Sequence, residues 1–571
     1  MADHRNGRTF RWGFAAVALL AVVYLAGLGS VFFFEPDEGR YTEIPREMLA
    51  TRDFVLPHLN GVLYFEKPPL FYWLNAASIS VFGPTPFASR LWSALLALGG
   101  LGLTWLLARR ILGRTAALCS LVVLSTSLLY LALARLAIID MTLTFCLTGT
   151  LVGFFLAKEE ASPSRARWLW MATFAFGALA VLAKGLIGIV LPGGVVFLYL
   201  LLGGQWRLLR KVPWLGGTLV FLAIALPWHI LAALRDPDFL WFYLVREHFL
   251  RYLTPISDRQ QPFWFFLPVL VVGLLPWSAF LPEALVRWLR ERPWRDFFKS
   301  AGPELFLWLW VGVIVGFFTL SKSKLIPYVL PAFPPLALLI GRRLGEYAEV
   351  PVRLVAWTRA LFLASLLFLG ALAGGFLILG TGKLAILPEA HGRSIPVMLL
   401  GALALGLALV AMGGVITRRA RQAIITAAAA CLVLFACIWV GAPRYAQGRD
   451  IRPIAAYLKE HAQPGDVIMA YRYYPQTLPV LLGKPIGLAA LRGELEFGIS
   501  KLPPEEQRRR FPTEDEFRAL WDSDARVFCV TDRVSLAHFE KGDLHHALIL
   551  VHEGQVYLLT NRPLPGDAVG P

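Results

Sequence analysis

The chain has 571 residues, of which 57% are hydrophobic and 16% charged, and it carries a formal charge of +16. A soluble protein of this length cannot bury so much apolar surface in its cores without leaving large greasy patches, so lipid must be the solvent for much of the chain. The positive excess sits in short loops between apolar runs rather than on one face or in a tail. That pattern argues against a nucleic-acid partner and for orientation charges in a membrane protein.

The N-terminus carries Arg5, Arg8 and Arg11 ahead of an apolar stretch over 13–34. The stretch is too long for a secretory signal core and ends in Phe32-Phe33-Phe34 with no small-residue cleavage site, so it reads as an uncleaved first membrane helix. Further spans are expected at 86–108, 115–134, 141–157, 168–184, 186–203, 213–234, 263–282, 303–320, 325–341, 356–379, 396–416 and 422–442, about 13 in all. Helices are expected because lipid leaves no other partner for backbone N–H and C=O groups. The basic clusters fall on alternate loops: Arg109, Arg110 and Arg114; Lys158, Arg165 and Arg167; Arg207, Arg210 and Lys211; Arg287 to Lys299; Arg342, Arg343 and Arg353; and Arg418, Arg419 and Arg421. All share a side with the N-terminus, which places that side in the cytoplasm and the chain's end outside.

Three outward loops follow from this topology, at 35–84, 235–262 and 321–328. They belong to a membrane domain over 1–442. From 443 to 571 the composition becomes that of a soluble protein, with strands expected over Asp466–Tyr474, Ala525–Asp532 and Ala547–Thr560 and a helix-capping box at Thr513 to Glu516. This reads as a small outward α/β domain without a catalytic motif. Four of the five cysteines lie in apolar runs and Cys529 stands alone, so neither a disulfide framework nor a thiolate metal site is expected.

Ionisable residues gather on the outward face. Glu35-Pro36-Asp37-Glu38-Gly39-Arg40-Tyr41 puts paired carboxylates and an arginine at the membrane boundary, although acids there can also simply cap the next helix. Tyr64-Phe65-Glu66-Lys67-Pro68-Pro69-Leu70 adds an acid–base pair in a proline frame that restricts the backbone. Asp140 stands in the turn Arg135 to Asp140, where capping is the plainer reading, and Lys184 at the turn between two spans reads as a snorkelling lysine. Arg246-Glu247-His248-Phe249-Leu250-Arg251 fits a solvated helix face or a site equally, and Ser321 to Tyr328 contributes Lys322 and Lys324. Together these groups suit a substrate with an anionic head and a lipid tail, with cations stabilising a leaving phosphate.

Asp37-Glu38 after the first span, Phe65-Glu66-Lys67-Pro68-Pro69-Leu70 and Arg135 to Asp140 resemble the bacterial relatives of protein O-mannosyltransferases, and within them the lipid A aminoarabinose transferases. The resemblance implies a polytopic glycosyltransferase C-type membrane domain followed by a periplasmic α/β domain. It implies an inverting transfer from an undecaprenyl-phosphate sugar to lipid A at the periplasmic face of the bacterial inner membrane. By the same resemblance Asp37 is central to catalysis with Glu38 beside it, and Asp140 matches the second acidic position. Lys67 and Arg40 face the carrier phosphate, and Tyr64 and Tyr328 line the pocket. Arg251 is not settled by the resemblance and is the best further phosphate ligand in the long loop. Glu66 and His248 are ligand types that could share a divalent ion. A hydroxyl acceptor on protein or another glycan would need Asp37 as general base, whereas a lipid A phosphate arrives already anionic. A lipid-linked sugar transporter is the rival of another class, but no internal repeat appears and the ionisable groups collect at one face rather than the midplane.

Overall fold

The computed structural model describes residues 20–254, 259–290, 302–349, 354–382, 394–445, 450–541 and 547–562. Arg5, Arg8, Arg11, Arg353 and the basic stretch from Arg292 to Lys299 lie outside them.

Of the first expected span only 20–25 is described as helix, and the later spans have helical counterparts, not always as one rod. Eight described helices are long and apolar enough to cross a membrane, from Pro86–Ile111 to Ala420–Pro443, and a bent pair makes nine. In that pair, Phe266–Gly273 turns through 109° into Trp277–Arg290, with Pro276 in the break where no backbone N–H can continue the ladder. The expected span at 115–134 is split at Ser127, whose extended backbone separates Arg114–Thr126 from Leu128–Leu133. At 325–341 a 3-10 turn over Ile326–Ala332 precedes the helix Phe333–Glu349. The breaks coincide with prolines and polar residues that an apolar-run count passes over.

The first outward loop is itself folded. It holds a helix over Asp37–Thr51, a two-stranded ribbon of β1 (His58–Leu59) and β2 (Val62–Leu63), and a helix over Leu70–Phe82. The second long loop contains a π-helix over Trp241–Leu250, a wide coil often found where side chains must be re-aimed.

The soluble part starts with the helix Arg452–His461 and builds on one five-stranded sheet. Its strands are β3 (Val467–Tyr471), β4 (Gly487–Ala489), β5 (Val527–Asp532), β6 (Leu548–Glu553) and β7 (Val556–Thr560), in the order β4-β3-β5-β7-β6. β3 pairs in parallel with β4 and β5, while β7 runs antiparallel to β5 and β6. The single strand expected over Ala547–Thr560 is a hairpin, turned at Gly554, whose φ of 56° favours glycine. The capping box is present, with the Thr513 hydroxyl accepting from the Glu516 N–H and the Glu516 carboxylate accepting in return.

Glu38 ties the first loop to the membrane helices. Arg90, fully buried in the helix Pro86–Ile111, donates to it from Nε at 2.8 Å and Nη2 at 2.5 Å. The same carboxylate accepts from Phe34 N and from Ala137 N, both at 2.8 Å. The expectation that Glu38 is catalytic is therefore corrected: four donors fill its oxygens, leaving none to accept a substrate proton. Arg90 also donates to the carbonyls of Leu28, Val31 and Phe32. Arg135 does similar work for the end of the first helix, donating to Val23 and Ala26 carbonyls with its guanidinium over the Trp439 ring. Arg90→Met strands Glu38 as a buried charge and is expected to cost about 3–5 kcal/mol. Thermal unfolding of the purified protein in detergent checks this, with Glu38→Gln expected to fall between wild type and Arg90→Met.

Candidate active site

A cavity of about 450 Å³ opens where the outward loops meet the spans. Its polar side holds Lys67, Lys184, Glu247, His248 and Arg251; its apolar side includes Leu186, Ile187, Val190, Phe249, Leu253 and Phe318, with Tyr328 between the two. The polar groups arrive from three separate stretches of chain. Lys67 comes from the Pro68-Pro69 segment before Leu70–Phe82, and Lys184 from the last turn of Pro163–Lys184. Glu247 and His248 come from the π-helix, with Arg251 immediately after it.

The charges form a connected chain. Asp140, in the first turn of Ile139–Glu159, takes the Lys184 ammonium at 2.5 Å. It does not cap its helix: no side-chain cap bond is made at that terminus. Lys184 therefore does not snorkel, and its ammonium also lies 4.5 Å from the centre of the Tyr328 ring. Glu247 receives Arg251 at 2.5 Å and lies 3.6 Å from Lys67, and Arg251 reaches Glu66 at 3.2 Å. Lys67 donates to the Glu66 carbonyl at 2.7 Å.

Burial pushes Glu66 up, but the charges of Lys67, Arg251 and Arg40 overcome it and hold the carboxyl down at about 2. Burial, helped by Arg251, brings Lys67 down to about 8 in spite of Glu247 and Glu66. Burial likewise lowers His248 to about 4, so its ring is neutral at physiological pH. Its bonding agrees with that state: Nδ1 donates to the Tyr243 carbonyl at 2.5 Å and Nε2 accepts from Leu186 N at 3.2 Å. Glycine is required at 185, where φ is +78° and a Cβ would strike the imidazole and the Tyr243 hydroxyl.

Glu66 and His248, the expected divalent-ion ligands, each hold protein partners in this structure. Both ring nitrogens are engaged and the Glu66 carboxylate is paired with Arg251. Among the described residues no cluster of three or more His, Cys, Asp or Glu side chains forms a metal site.

The remaining expected residues lie beside the cavity rather than in its wall. Asp37 is half-exposed on the turn after Glu35 and stands 3.6 Å from Arg40. Arg40 is buried against the soluble domain, pairing with Glu494 at 3.1 Å and donating to the Gln476 side chain at 3.3 Å. Tyr64 is buried too and donates to Glu494 at 3.2 Å. Arg40 and Tyr64, expected on the carrier phosphate and in the pocket lining, instead meet a carboxylate from the second domain in this structure. Tyr41 lies within electrostatic reach of Asp37, Arg40 and Asp140, joining the two groups of charges. Lys322 points to solvent, and Lys324 is spent on the Gln261 and Ser321 carbonyls.

Sequence reasoning passed over Lys184 as a site residue and gave no role to Glu247, Arg90 or Glu494. Only Glu247 carried a local signal, its four-residue spacing to Arg251 on one helical face.

The chain was compared with known proteins. Residues 66–230 match the family described as dolichyl-phosphate-mannose-protein mannosyltransferase, and residues 454–558 match the aminoarabinose transferase C-terminal domain. Proteins named undecaprenyl phosphate-alpha-4-amino-4-deoxy-L-arabinose arabinosyl transferase from Aeromonas hydrophila and Aeromonas salmonicida are 36% and 35% identical. Those matches cover 61% and 62% of this chain and 64% of the length of each relative. The protein of the same name from Edwardsiella ictaluri is 29% identical over 85% of this chain and 87% of its own. The crystal structure of ArnT from Cupriavidus metallidurans bound to undecaprenyl phosphate superposes with a TM-score of 0.81 at 27% identity, covering 96% of this chain and 98% of the other. Fold and site together define a multi-pass membrane protein of the glycosyltransferase C type. In sequence and fold the chain is similar to the bacterial relatives of protein O-mannosyltransferases, and along nearly its whole length to the aminoarabinose transferases.

Lys67 yields a pH prediction. With its pKa near 8, the ammonium is present below that pH and lost as pH rises through it. Affinity for undecaprenyl phosphate should be flat up to about pH 8 and then fall by up to about tenfold per pH unit. Lys67→Arg should hold the plateau to higher pH. Binding titrations of both proteins from neutral to about pH 10 check it.

Proposed function

We propose that this chain transfers 4-amino-4-deoxy-L-arabinose from undecaprenyl phosphate to lipid A on the periplasmic side of the inner membrane, with inversion at the sugar. The observation that carries the reading is the composition of the cavity wall: three cations against one carboxylate, over an apolar floor. A phosphate fits the three cations that line the wall, whose acids Asp140 and Glu66 stand behind it, and the first isoprene units fit the floor. The likeness to the aminoarabinose transferases over nearly the whole chain supports the choice of carrier and sugar. The basic loops support an N-terminus in the cytoplasm and a soluble domain in the periplasm.

In this reaction the acceptor oxygen attacks the anomeric carbon from the face opposite the carrier phosphate. The carbon–oxygen bond to phosphate breaks, and its electron pair leaves with undecaprenyl phosphate. Lys67, Lys184 and Arg251 stabilise that growing charge from positions already fixed by Glu247, Asp140 and Glu66, so little reorganisation is needed. A lipid A phosphate brings its own negative charge and needs no base. Asp37, held beside Arg40, then orients the sugar or acceptor and balances charge. A hydroxyl acceptor would instead give up its proton to Asp37.

The test is transfer from undecaprenyl-phosphate aminoarabinose by purified wild type, Asp37→Asn and Lys67→Ala, offering lipid A and a Ser/Thr peptide side by side. Transfer to lipid A is expected, with Lys67→Ala losing ~10- to 100-fold in kcat/KM as one charge-assisted phosphate contact goes. Asp37→Asn is expected to lose less with lipid A than it would with a hydroxyl acceptor. Transfer to the peptide alone would move the chain to protein O-glycosylation, and carrier binding without transfer to either would move it to transport.

A further inference from the structure

A second cavity, of about 230 Å³, lies far from the reaction site. Phe280, Leu344, Tyr347, Phe362 and Ile424 give it an aromatic and aliphatic wall, and Arg359 and Arg418 also border it. Its position follows from one helix. Phe333–Glu349 starts just past Tyr328 of the reaction cavity, and its far end supplies Leu344 and Tyr347. At 1.5 Å per residue, Phe333 to Tyr347 spans on the order of 20 Å, which puts the two cavities at opposite ends of the membrane-spanning part. The second cavity therefore sits on the side of the basic loops.

Glu283 and Glu346 at that end already have partners. Glu283 accepts from the Tyr347 hydroxyl at 2.6 Å and the Thr358 hydroxyl at 2.7 Å, and pairs with Arg287 at 3.0 Å. Glu346 pairs with Arg343 at 2.9 Å and Arg287 at 3.4 Å. Among the described residues neither Arg359 nor Arg418 has a carboxylate partner. Arg359 is part-buried in the first turn of Ala356–Gly380, while Arg418 is exposed on the turn between Ile395–Ile416 and Ala420–Tyr445. Two guanidinium groups with no carboxylate partner among the described residues, beside a largely apolar space among membrane helices, call for a ligand that is anionic at one end and hydrocarbon at the other.

We propose that this cavity is a binding site for an anionic phospholipid of the leaflet opposite the reaction. The headgroup phosphate takes hydrogen bonds from Arg359 and Arg418, and one acyl chain enters between Phe280, Phe362 and Ile424. The lipid bridges Phe333–Glu349 and the three C-terminal membrane helices. The site is independent of the sugar and of the acceptor.

The full-length protein, purified in micelles doped with phosphatidylglycerol, is stripped stepwise and the retained lipid counted by mass spectrometry of the intact protein. Phosphatidylcholine and inorganic phosphate are run in parallel. Wild type should retain one phosphatidylglycerol, and the Arg359→Gln/Arg418→Gln protein should retain it about tenfold less well, as expected from the loss of hydrogen bonds to a charged group. Arg207→Gln/Arg210→Gln removes the same charge from another basic loop, outside the cavity lining, and should behave as wild type. Equal retention in the Arg359/Arg418 variant, or equal loss in the control, overturns the site. Displacement of the lipid by millimolar inorganic phosphate also overturns it, since the ligand would then be a free anion with no use for the apolar wall.

Discussion

The ion pair between Glu38 and Arg90 is the constraint from which the face that carries the cavity is organised. Burying both charges costs several kcal/mol per ion unless their remaining hydrogen-bonding positions are filled. Here they are filled, by Phe34 and Ala137 amides on the acid and by three carbonyls on the arginine. One carboxylate thus joins the end of the first helix, the helix Pro86–Ile111 and the turn that launches Asp140. With Glu38 committed inward, its neighbour Asp37 must face out, and Arg40 falls one turn on against the soluble domain. Two adjacent acids that look equivalent in the sequence divide into a buried anchor and an outward-pointing carboxylate beside Arg40.

Across the reaction cavity the same logic works at lower cost. Asp140, Lys184, Lys67, Glu247, Arg251 and Glu66 alternate in sign closely enough for each cation to be held by an acid before any substrate arrives. Long side chains that would otherwise lose rotamer freedom on binding are already ordered. His248 stays neutral, so it adds no charge and serves as a strut between the π-helix and the turn at Gly185–Leu186.

Much of this was legible in the sequence. Hydropathy located the apolar helices, because it is a property of runs of residues. Lys67, Asp140, Arg251 and Tyr328 could be picked out because ionisable or phenolic groups at a lipid boundary are costly without a purpose. What stayed hidden were the pairings. Lys184 meets Asp140 from 44 residues away and Arg90 meets Glu38 from 52, separations that only helix packing can close. Without its partner, Lys184 looks like a snorkelling lysine. Arg40 and Tyr64 were misplaced for the same reason, since Glu494 lies more than four hundred residues along and no local pattern announces it. The broken spans were missed because an apolar count does not register a change of direction at Ser127 or Pro276.

The seam between the two domains is closed backbone against backbone. Gly39 faces the Gln476–Thr477 peptide so tightly that a Cβ would come within 2.8 Å of it, and Gly498 presses in the same way on the main chain of Leu63. Asn60 completes the seam with paired hydrogen bonds to the backbone of Ile486. Neither half is therefore a module that could be exchanged freely. A soluble domain grafted from a relative would fit only if both glycines and the facing peptides came with it. Drift on one side of the seam is answerable to the other, even though the two halves differ in solvent, composition and architecture.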